Sequence, residues 1–404
     1  MNPQEIAQHI VDSKGDLLRI GPENNMGSEN LYIINEGVLE HWGAHELDCE
    51  IYEITKNISN YVHKNILICI KSILLTQQQK DGIQRKIKDF PSYITSTACL
   101  FKGNGILNIT QDDSGGEKLE LTTLDKYLAE GGAPFHERLT FALDTQLFSS
   151  AVAFGSDENE LKRAVECFCP EWHRFLKTSL ISYEYDCIPV LEFAGNFLLP
   201  INSTERPGFW FLVGKTYSGK TTLLDLLSEL VENNIQLFSF FRGLNDEFAF
   251  DSIYKGDRRA IDFTIREDKF IKGRRAEILV ALSEGGHITA KQKYKKPITV
   301  NKPLCYVTEL HLWPKFRDES GACENRAIII VSERDASTPI DFDLLKKLKK
   351  EAPAFCALAM ARLAYLIESK QPFTPTYAKR FPKVKIHINK TTFITRLHNR
   401  SLFI

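Results

Sequence analysis

The tightest constraint on the fold lies mid-chain. An unbroken apolar run, Phe209-Trp210-Phe211-Leu212-Val213, leads into Gly214-Lys215-Thr216-Tyr217-Ser218-Gly219-Lys220-Thr221-Thr222, and then into leucines 223, 224, 227 and 230. A continuous apolar run of this length is the pattern of a strand buried on both faces. The leucines recur at helical spacing, so a helix is expected from Gly219 onward. Between strand and helix, residues 214–221 match G-x-x-x-x-G-K-[ST]. The glycines let the backbone curl so that successive N–H groups point at one anion, and the helix adds the positive end of its dipole. The expected ligand is the triphosphate of ATP, cradled by Gly214, Lys215, Thr216, Tyr217, Ser218, Gly219, Lys220, Thr221 and Thr222. Lys220 would place its charge on the β- and γ-phosphates, and Thr221 would offer its hydroxyl to Mg²⁺. Both flanking elements are present, which argues against a chance match in a glycine loop.

Hydrolysis also needs an acid at the end of a second buried strand. Residues 260–268, Ala-Ile-Asp-Phe-Thr-Ile-Arg-Glu-Asp, have that form. Glu267 would orient the attacking water and Asp268 would hold Mg²⁺ through its shell. A pair of solvated loop acids would look the same in sequence, and Asp262, inside the strand, competes for the metal role.

Around this centre the chain is ordinary. Its 404 residues are enough for two or three domains, and 43% hydrophobic with 25% charged residues is a globular composition. A net charge of −1 neither favours nor excludes a polyanionic partner. No run of about 18 apolar residues suggests a membrane span. Residues 66–75 come nearest and carry Lys71. No signal-like stretch opens the chain, so a soluble protein of a bacterial or viral-host cytoplasm is expected. Nine cysteines at irregular spacing point to reduced thiols. Cys167, Cys169, Cys187 and His173 fit none of the common zinc spacings, and buried thiols on a helix are the simpler reading.

Residues 1–45 are mixed, with turn signals at Gly21, Asn24, Asn25 and Gly27. Residues 46–77 carry apolar positions at helical spacing, including Ile51, Ile54, Ile58, Ile66 and Ile70. Residues 95–121 read as short strands and turns. A helix is expected after Asp157, with Glu160 placed for a capping box. The composition shifts at the polar stretch 202–208. The organisation expected is a mostly helical module over 1–195, a P-loop ATPase domain over 196–368 and a basic segment over 369–404. The fold class is α/β, with a mainly parallel sheet covered by helices on both faces.

The order of these elements resembles the superfamily 3 helicases of viruses, phages and plasmids, an AAA+-like group, and within it the poxvirus and satellite-phage primase-helicase branch. The resemblance rests on the loop at 214–221, the acidic motif at 263–268, the stretch 282–297, residues 306–314 (Tyr-Val-Thr-Glu-Leu-His-Leu-Trp-Pro), and Asn325-Arg326 before the apolar residues 327–330. It covers roughly 160 residues at motif level, and the helical region upstream matches this branch only in spacing. The resemblance implies a ring, expected to be a hexamer, that hydrolyses ATP and moves 3′ to 5′ along single-stranded or forked DNA during replication of a mobile element. A primase or polymerase is an expected partner. A nucleotidyl-transfer module upstream is not expected. By the same resemblance Arg326 completes a neighbouring subunit's site, with Arg317 as a competing candidate. Glu309 and His311 stand where the family usually has an asparagine that senses the γ-phosphate. A glutamate there repels a phosphate unless a cation intervenes.

Two basic clusters fit a nucleic-acid partner. Lys291, Lys293, Tyr294, Lys295 and Lys296 lie on the stretch that in this family forms a channel-facing hairpin; the tyrosine would stack on a base and the lysines hold phosphates. From Ser369 onward the chain carries Lys370, Lys379, Arg380, Lys383, Lys385, Lys390, Arg396, Arg400 and no acid. That segment suits DNA or a contact with another subunit equally. Two further functions remain open: a DNA-binding ring ATPase that melts or loads at an origin without processive unwinding, and a nucleotide-gated assembly protein with weak hydrolysis.

Overall fold

The computed structural model describes residues 3–14, 17–23, 29–35, 38–42, 47, 66–67, 69–71, 73–74, 77, 97–103, 105–135, 138–179, 183–214, 217–231, 236–238, 258–262, 270–290, 297–301, 303–311, 314–317, 320–332 and 341–375. Helix α1 (Pro3–Lys14) opens the chain, followed by an antiparallel sheet of β1 (Leu18–Glu23), β2 (Glu29–Asn35) and β3 (Val38–His41). Ile6, Ile10, Leu18, Ile20, Leu31 and Trp42 form a small core there. Ile66, Ile70 and Leu74 complete it from the 46–77 stretch, whose described residues are helical. The three strands of this sheet fall in the segment that reads as merely mixed in sequence.

A second antiparallel sheet consists of β4 (Ala98–Leu100), β5 (Gly105–Gln111) and β6 (Glu117–Thr123), within the residues expected to form strands and turns. Asp112 shapes its hairpin by accepting from the backbone of Ser114 at 2.8 Å and Gly116 at 2.7 Å. Five helices follow: α2 (Leu124–Ala129), α3 (Thr145–Val152), α4 (Glu158–Phe168), α5 (Pro170–Ser179) and α6 (Tyr183–Leu198). Asp157 caps α4, its carboxylate accepting from the N–H groups of Asn159 and Glu160. Such a cap contributes about 1 kcal/mol. Among the described residues of the first 195, helices are joined with two three-stranded sheets.

The chain then enters a five-stranded parallel sheet. Its strands are β7 (Phe209–Val213), β8 (Gln236–Phe238), β9 (Arg259–Asp262), β13 (Cys305–Leu310) and β15 (Ala327–Val331), in the order β15-β7-β13-β9-β8. Alternation along each strand sends Trp210, Leu212, Ile261, Val307, Ile328 and Ile330 into one core, and Phe209, Phe211, Val213, Ala260, Tyr306 and Ile329 into another. Helix α6 and helix α7 (Lys220–Leu230) cover the first face. Helix α8 (Arg274–Ser283), with Cys323 of α9 (Ala322–Arg326), covers the second. Between β9 and β13 lie β10 (Phe270–Lys272) and the antiparallel pair β11 (His287–Ala290) with β12 (Ile298–Asn301); β14 (Lys315–Arg317) pairs in parallel with β10. An α/β domain with a parallel sheet and helices on both faces is thus present.

The last described helix, α10 (Leu344–Ser369), has the length and apolar composition to cross a bilayer, more so than residues 66–75. Its apolar residues are spent inside the fold: Phe355, Cys356, Leu358, Met360 and Leu363 have no exposure. Trp172 of α5 stacks on Phe355 with ring centroids 3.6 Å apart and donates its indole N–H to the Leu348 carbonyl at 3.1 Å. Glu351 of α10 accepts from the first N–H groups of α5, those of Glu171 and Trp172, at 3.0 and 3.2 Å. A carboxylate at a helix N-terminus satisfies orphan donors and meets the dipole's positive end. One hydrophobic core runs from Cys99 through α3–α6 and the sheet to Phe373, so the boundary expected at 195/196 falls inside a continuous core.

Arg362 of α10 makes a buried charge pair with Glu192 of α6, at 2.9 Å from Nε and 2.8 Å from Nη2. Glu192 also accepts from the Thr374 N–H at 2.6 Å and hydroxyl at 2.7 Å, which pins the chain after α10. Burial pushes the Glu192 carboxyl up, and Arg362 and Thr374 oppose that shift. Removing one partner of such a pair strands a buried charge. Arg362→Met should therefore lose about 3 kcal/mol in urea unfolding. The double variant Arg362→Met/Glu192→Leu should recover part of that loss; a double variant at least as unstable as the sum of the singles would contradict it.

Candidate functional site

The loop 214–219 joins the carboxyl end of β7 to the start of α7, the end of a parallel sheet where open α/β folds bind ligands. Both glycines are required by their surroundings. A Cβ on Gly214 would overlap the Ser332 carbonyl oxygen. Gly219 has φ +95°, and a Cβ there would lie 2.8 Å from the Phe175 ring. The loop is clamped from outside the motif. Ser332, directly after β15, donates its N–H to Val213 at 2.7 Å and its hydroxyl to the carbonyls of Ser218 at 2.5 Å and Ser179 at 3.1 Å. Ser332 carries no local sequence signal, because its partners are 114 to 153 residues away.

Lys220 opens α7, and its side chain is buried. The ammonium donates to the Gly214 carbonyl at 2.8 Å and to Ser218 Oγ at 3.4 Å. Glu309, near the end of β13, brings its carboxylate within 3.6 Å of the same ammonium. The Thr221 hydroxyl lies 3.1 Å from each carboxylate oxygen of Glu309. His311 places Nδ1 3.3 Å from the Gly214 carbonyl oxygen. Burial pulls Lys220 down from the ordinary lysine value, and Glu309 acts against that shift. Asp225, one turn into α7, is held above the usual carboxylate range by burial, then by Glu229 and Glu309. Ammonium, hydroxyl and carboxylate thus converge at the mouth of a glycine loop, a donor set that suits a phosphate group with a divalent cation.

Of the loop residues, Gly214, Tyr217, Ser218, Gly219, Lys220, Thr221 and Thr222 are described and lie together; Lys215 and Thr216 lie outside the described residues. So do Glu267 and Asp268. Asp262, their competitor, is fully buried and accepts from the Tyr306 hydroxyl at 3.1 Å, on the sheet face opposite Glu309. Asp262 pairs in register with Thr308, one residue before Glu309, and strand alternation sends the two acids to opposite sides.

Strands β11 and β12 form an antiparallel pair; β11 lies within the stretch 282–297 expected to form the hairpin, and β12 begins just after it. Lys291, Lys293, Tyr294, Lys295 and Lys296, in its connection, lie outside the described residues, as does the basic segment beyond 375. Arg326 precedes β15 at the amino end of the strands, about 16 Å from the loop at their carboxyl end by strand rise. It donates to the Ala322 carbonyl at 3.0 Å and pairs with Glu284. Arg317 is exposed on β14. Among the described residues no group of three or more His, Cys, Asp or Glu side chains is placed to hold a metal. Cys169 and Cys187 are buried, Cys167 is exposed, and burial raises the Cys169 thiol far above its usual range.

No protein-family model matches this chain, and no curated protein matches it. Among solved structures it is similar to an apo structure of the C-terminal region of NrS-1 (305–718), at 11% identity and a TM-score of 0.46, covering 95% of this chain and 74% of that one. Two A-form apo structures of the same region give 11% and 12% identity with TM-scores of 0.42 and 0.41, each covering 89% of this chain and 70% and 68% of theirs.

Tyr217 is the anomaly of the loop: its backbone sits at φ +64° and its ring is 83% exposed. A bulky residue in that region is strained by roughly 1–3 kcal/mol. Tyr217→Gly should raise stability by about 1 kcal/mol in urea unfolding, after the larger entropy of an unfolded glycine is allowed for. Tyr217→Val should lower it. A loss on substitution by glycine would mean that contacts of the ring outweigh the strain of its backbone.

Proposed function

We propose that this chain is an ATP-dependent ring helicase that moves on single-stranded DNA, expected in the 3′ to 5′ sense, during replication of a phage, plasmid or other mobile element. The observation that carries the reading is the convergence of Lys220 and Thr221 with Gly214 and Gly219 at the carboxyl end of β7. The resemblance of the motifs to superfamily 3 helicases supports the DNA and ring parts of the proposal. Mg²⁺ bound with the nucleotide would neutralise charge on the phosphates. Lys220 would release the Gly214 carbonyl and turn to the β- and γ-phosphates. Thr221 would face the metal. Glu267 and Asp268 are assigned the water-orienting and metal-holding roles by the sequence motif.

Arg326 cannot serve the loop of its own chain across the length of the sheet. In the proposed hexamer it would serve a neighbour's γ-phosphate and would first leave Glu284, with Arg317 as the competing candidate. Lys291, Lys293, Tyr294, Lys295 and Lys296, carried on the β11–β12 arms, would touch the DNA, and a primase or polymerase would act beside the ring. The position of Glu309 favours a second reading, either a DNA-binding ring ATPase that melts or loads at an origin without processive unwinding or a nucleotide-gated assembly protein with weak hydrolysis, because a carboxylate at the mouth of the loop repels the γ-phosphate unless a cation intervenes.

ATP hydrolysis with and without single-stranded DNA separates these readings. The motor reading expects turnover that DNA accelerates and that falls about 100-fold or more in Lys220→Ala. ATP binding with negligible turnover and no response to DNA would reject the motor and leave the gated assembly protein. DNA-stimulated turnover without strand displacement on a fork would select the origin-melting ATPase.

A further inference from the structure

Resting on the nucleotide reading above, we propose that Glu309 supplies a carboxylate to the Mg²⁺ site, acting through the Thr221 hydroxyl and the water shell of the cation. The family motif assigns no metal role to this position. The geometry does. A hydroxyl has one proton and two lone pairs. Thr221 lies 3.1 Å from both Glu309 oxygens, which can only accept, so the hydroxyl proton is committed to Glu309. The lone pairs are then left to face a cation from an exposed position at the mouth of the loop. Glu309 itself is only 8% exposed, so its charge is held in place by its neighbours instead of being dispersed in water.

A simple latch, in which Glu309 occupies Lys220 until phosphate displaces it, accounts less well for the distances. The ammonium lies 3.6 Å from Glu309, whereas it donates to the Gly214 carbonyl at 2.8 Å. The lysine is held by the loop, and the carboxylate is held by the threonine. Lys220 also supplies the cation that makes a glutamate tolerable beside a phosphate, since its charge offsets that of Glu309 before any metal arrives. Asp262 cannot take this part, because it points into the opposite core with Tyr306.

The test is calorimetric titration of ATP into the full chain in Mg²⁺ and in EDTA, comparing wild type with Glu309→Gln, which keeps the size of the side chain. Wild type is expected to bind ATP more tightly with Mg²⁺. Glu309→Gln should lose about tenfold or more of that metal-dependent gain, the effect expected of an outer-shell ligand, with metal-free ATP bound at least as well as in wild type. Electron paramagnetic resonance of Mn²⁺ with ATP should show the same loss of metal affinity without any turnover. Glu309→Asp, which keeps the charge one methylene back, should fall between the two and serves if the glutamine variant does not fold. An unchanged Mg²⁺ gain in Glu309→Gln would overturn the assignment. So would equal tightening with and without metal, which is the signature of a latch. Wild type that binds neither form would remove the nucleotide reading itself, and the role of Glu309 with it.

Discussion

Burial of β7 on both faces is the constraint from which the site follows. Five successive apolar side chains, Phe209 to Val213, divide between two cores, three to one side and two to the other. A strand so enclosed cannot slip by one residue without exchanging its faces. Its end is therefore fixed, and Gly214 is delivered to one place, against the Ser332 carbonyl that follows the neighbouring strand β15. Each fully buried large apolar side chain contributes roughly 1.5–3 kcal/mol. The strand thus outweighs the strain of roughly 1–3 kcal/mol expected at Tyr217.

The loop also depends on elements far outside the sheet. Helix α10 holds α5 through the Trp172–Phe355 stack and the Glu351 cap; α5 in turn places Phe175 and Ser179 beneath Gly219. The upstream helices are thus part of the support of the loop. This is why the hydrophobic core runs through residue 195, although the composition shifts at 202–208. A polar stretch marks a surface turn, and here the turn connects two pieces of one core.

What was legible in sequence was local. The span of β7, the start of α7 and the Asp157 cap all follow from periodicity and from the chemistry of single positions, and each sits where those patterns put it. The strands β1–β3 were not legible, since their residues alternate too weakly and Gly21 and Pro22 interrupt β1. The Ser332 clamp was invisible for a different reason: a serine after a strand is unremarkable until the fold brings Ser179 and Ser218 to it. Glu309 was legible only as a departure, a charge where the family pattern has an amide. Only the strand register shows that the same alternation which turns Asp262 away turns Glu309 toward Thr221.

The sheet also separates two cations, Lys220 and Arg326. Lys220 stands at the carboxyl end of the strands, inside the loop of its own chain, while Arg326 stands at the amino end, tied to Glu284 and the Ala322 carbonyl. Phosphoryl transfer gathers charge on the equatorial oxygens, and one lysine with one metal leaves the outer side of that charge uncompensated. Among the described residues of this chain, Arg326 is too distant to supply it, because five parallel residues of β15 intervene. In the proposed ring that cation would come from a second copy whose amino-end edge faces this carboxyl-end mouth. That is a head-to-tail contact, and head-to-tail contacts repeat into rings when the rotation closes. The separation of Lys220 and Arg326 within one chain thus means that the role the resemblance gives Arg326 would require a second copy.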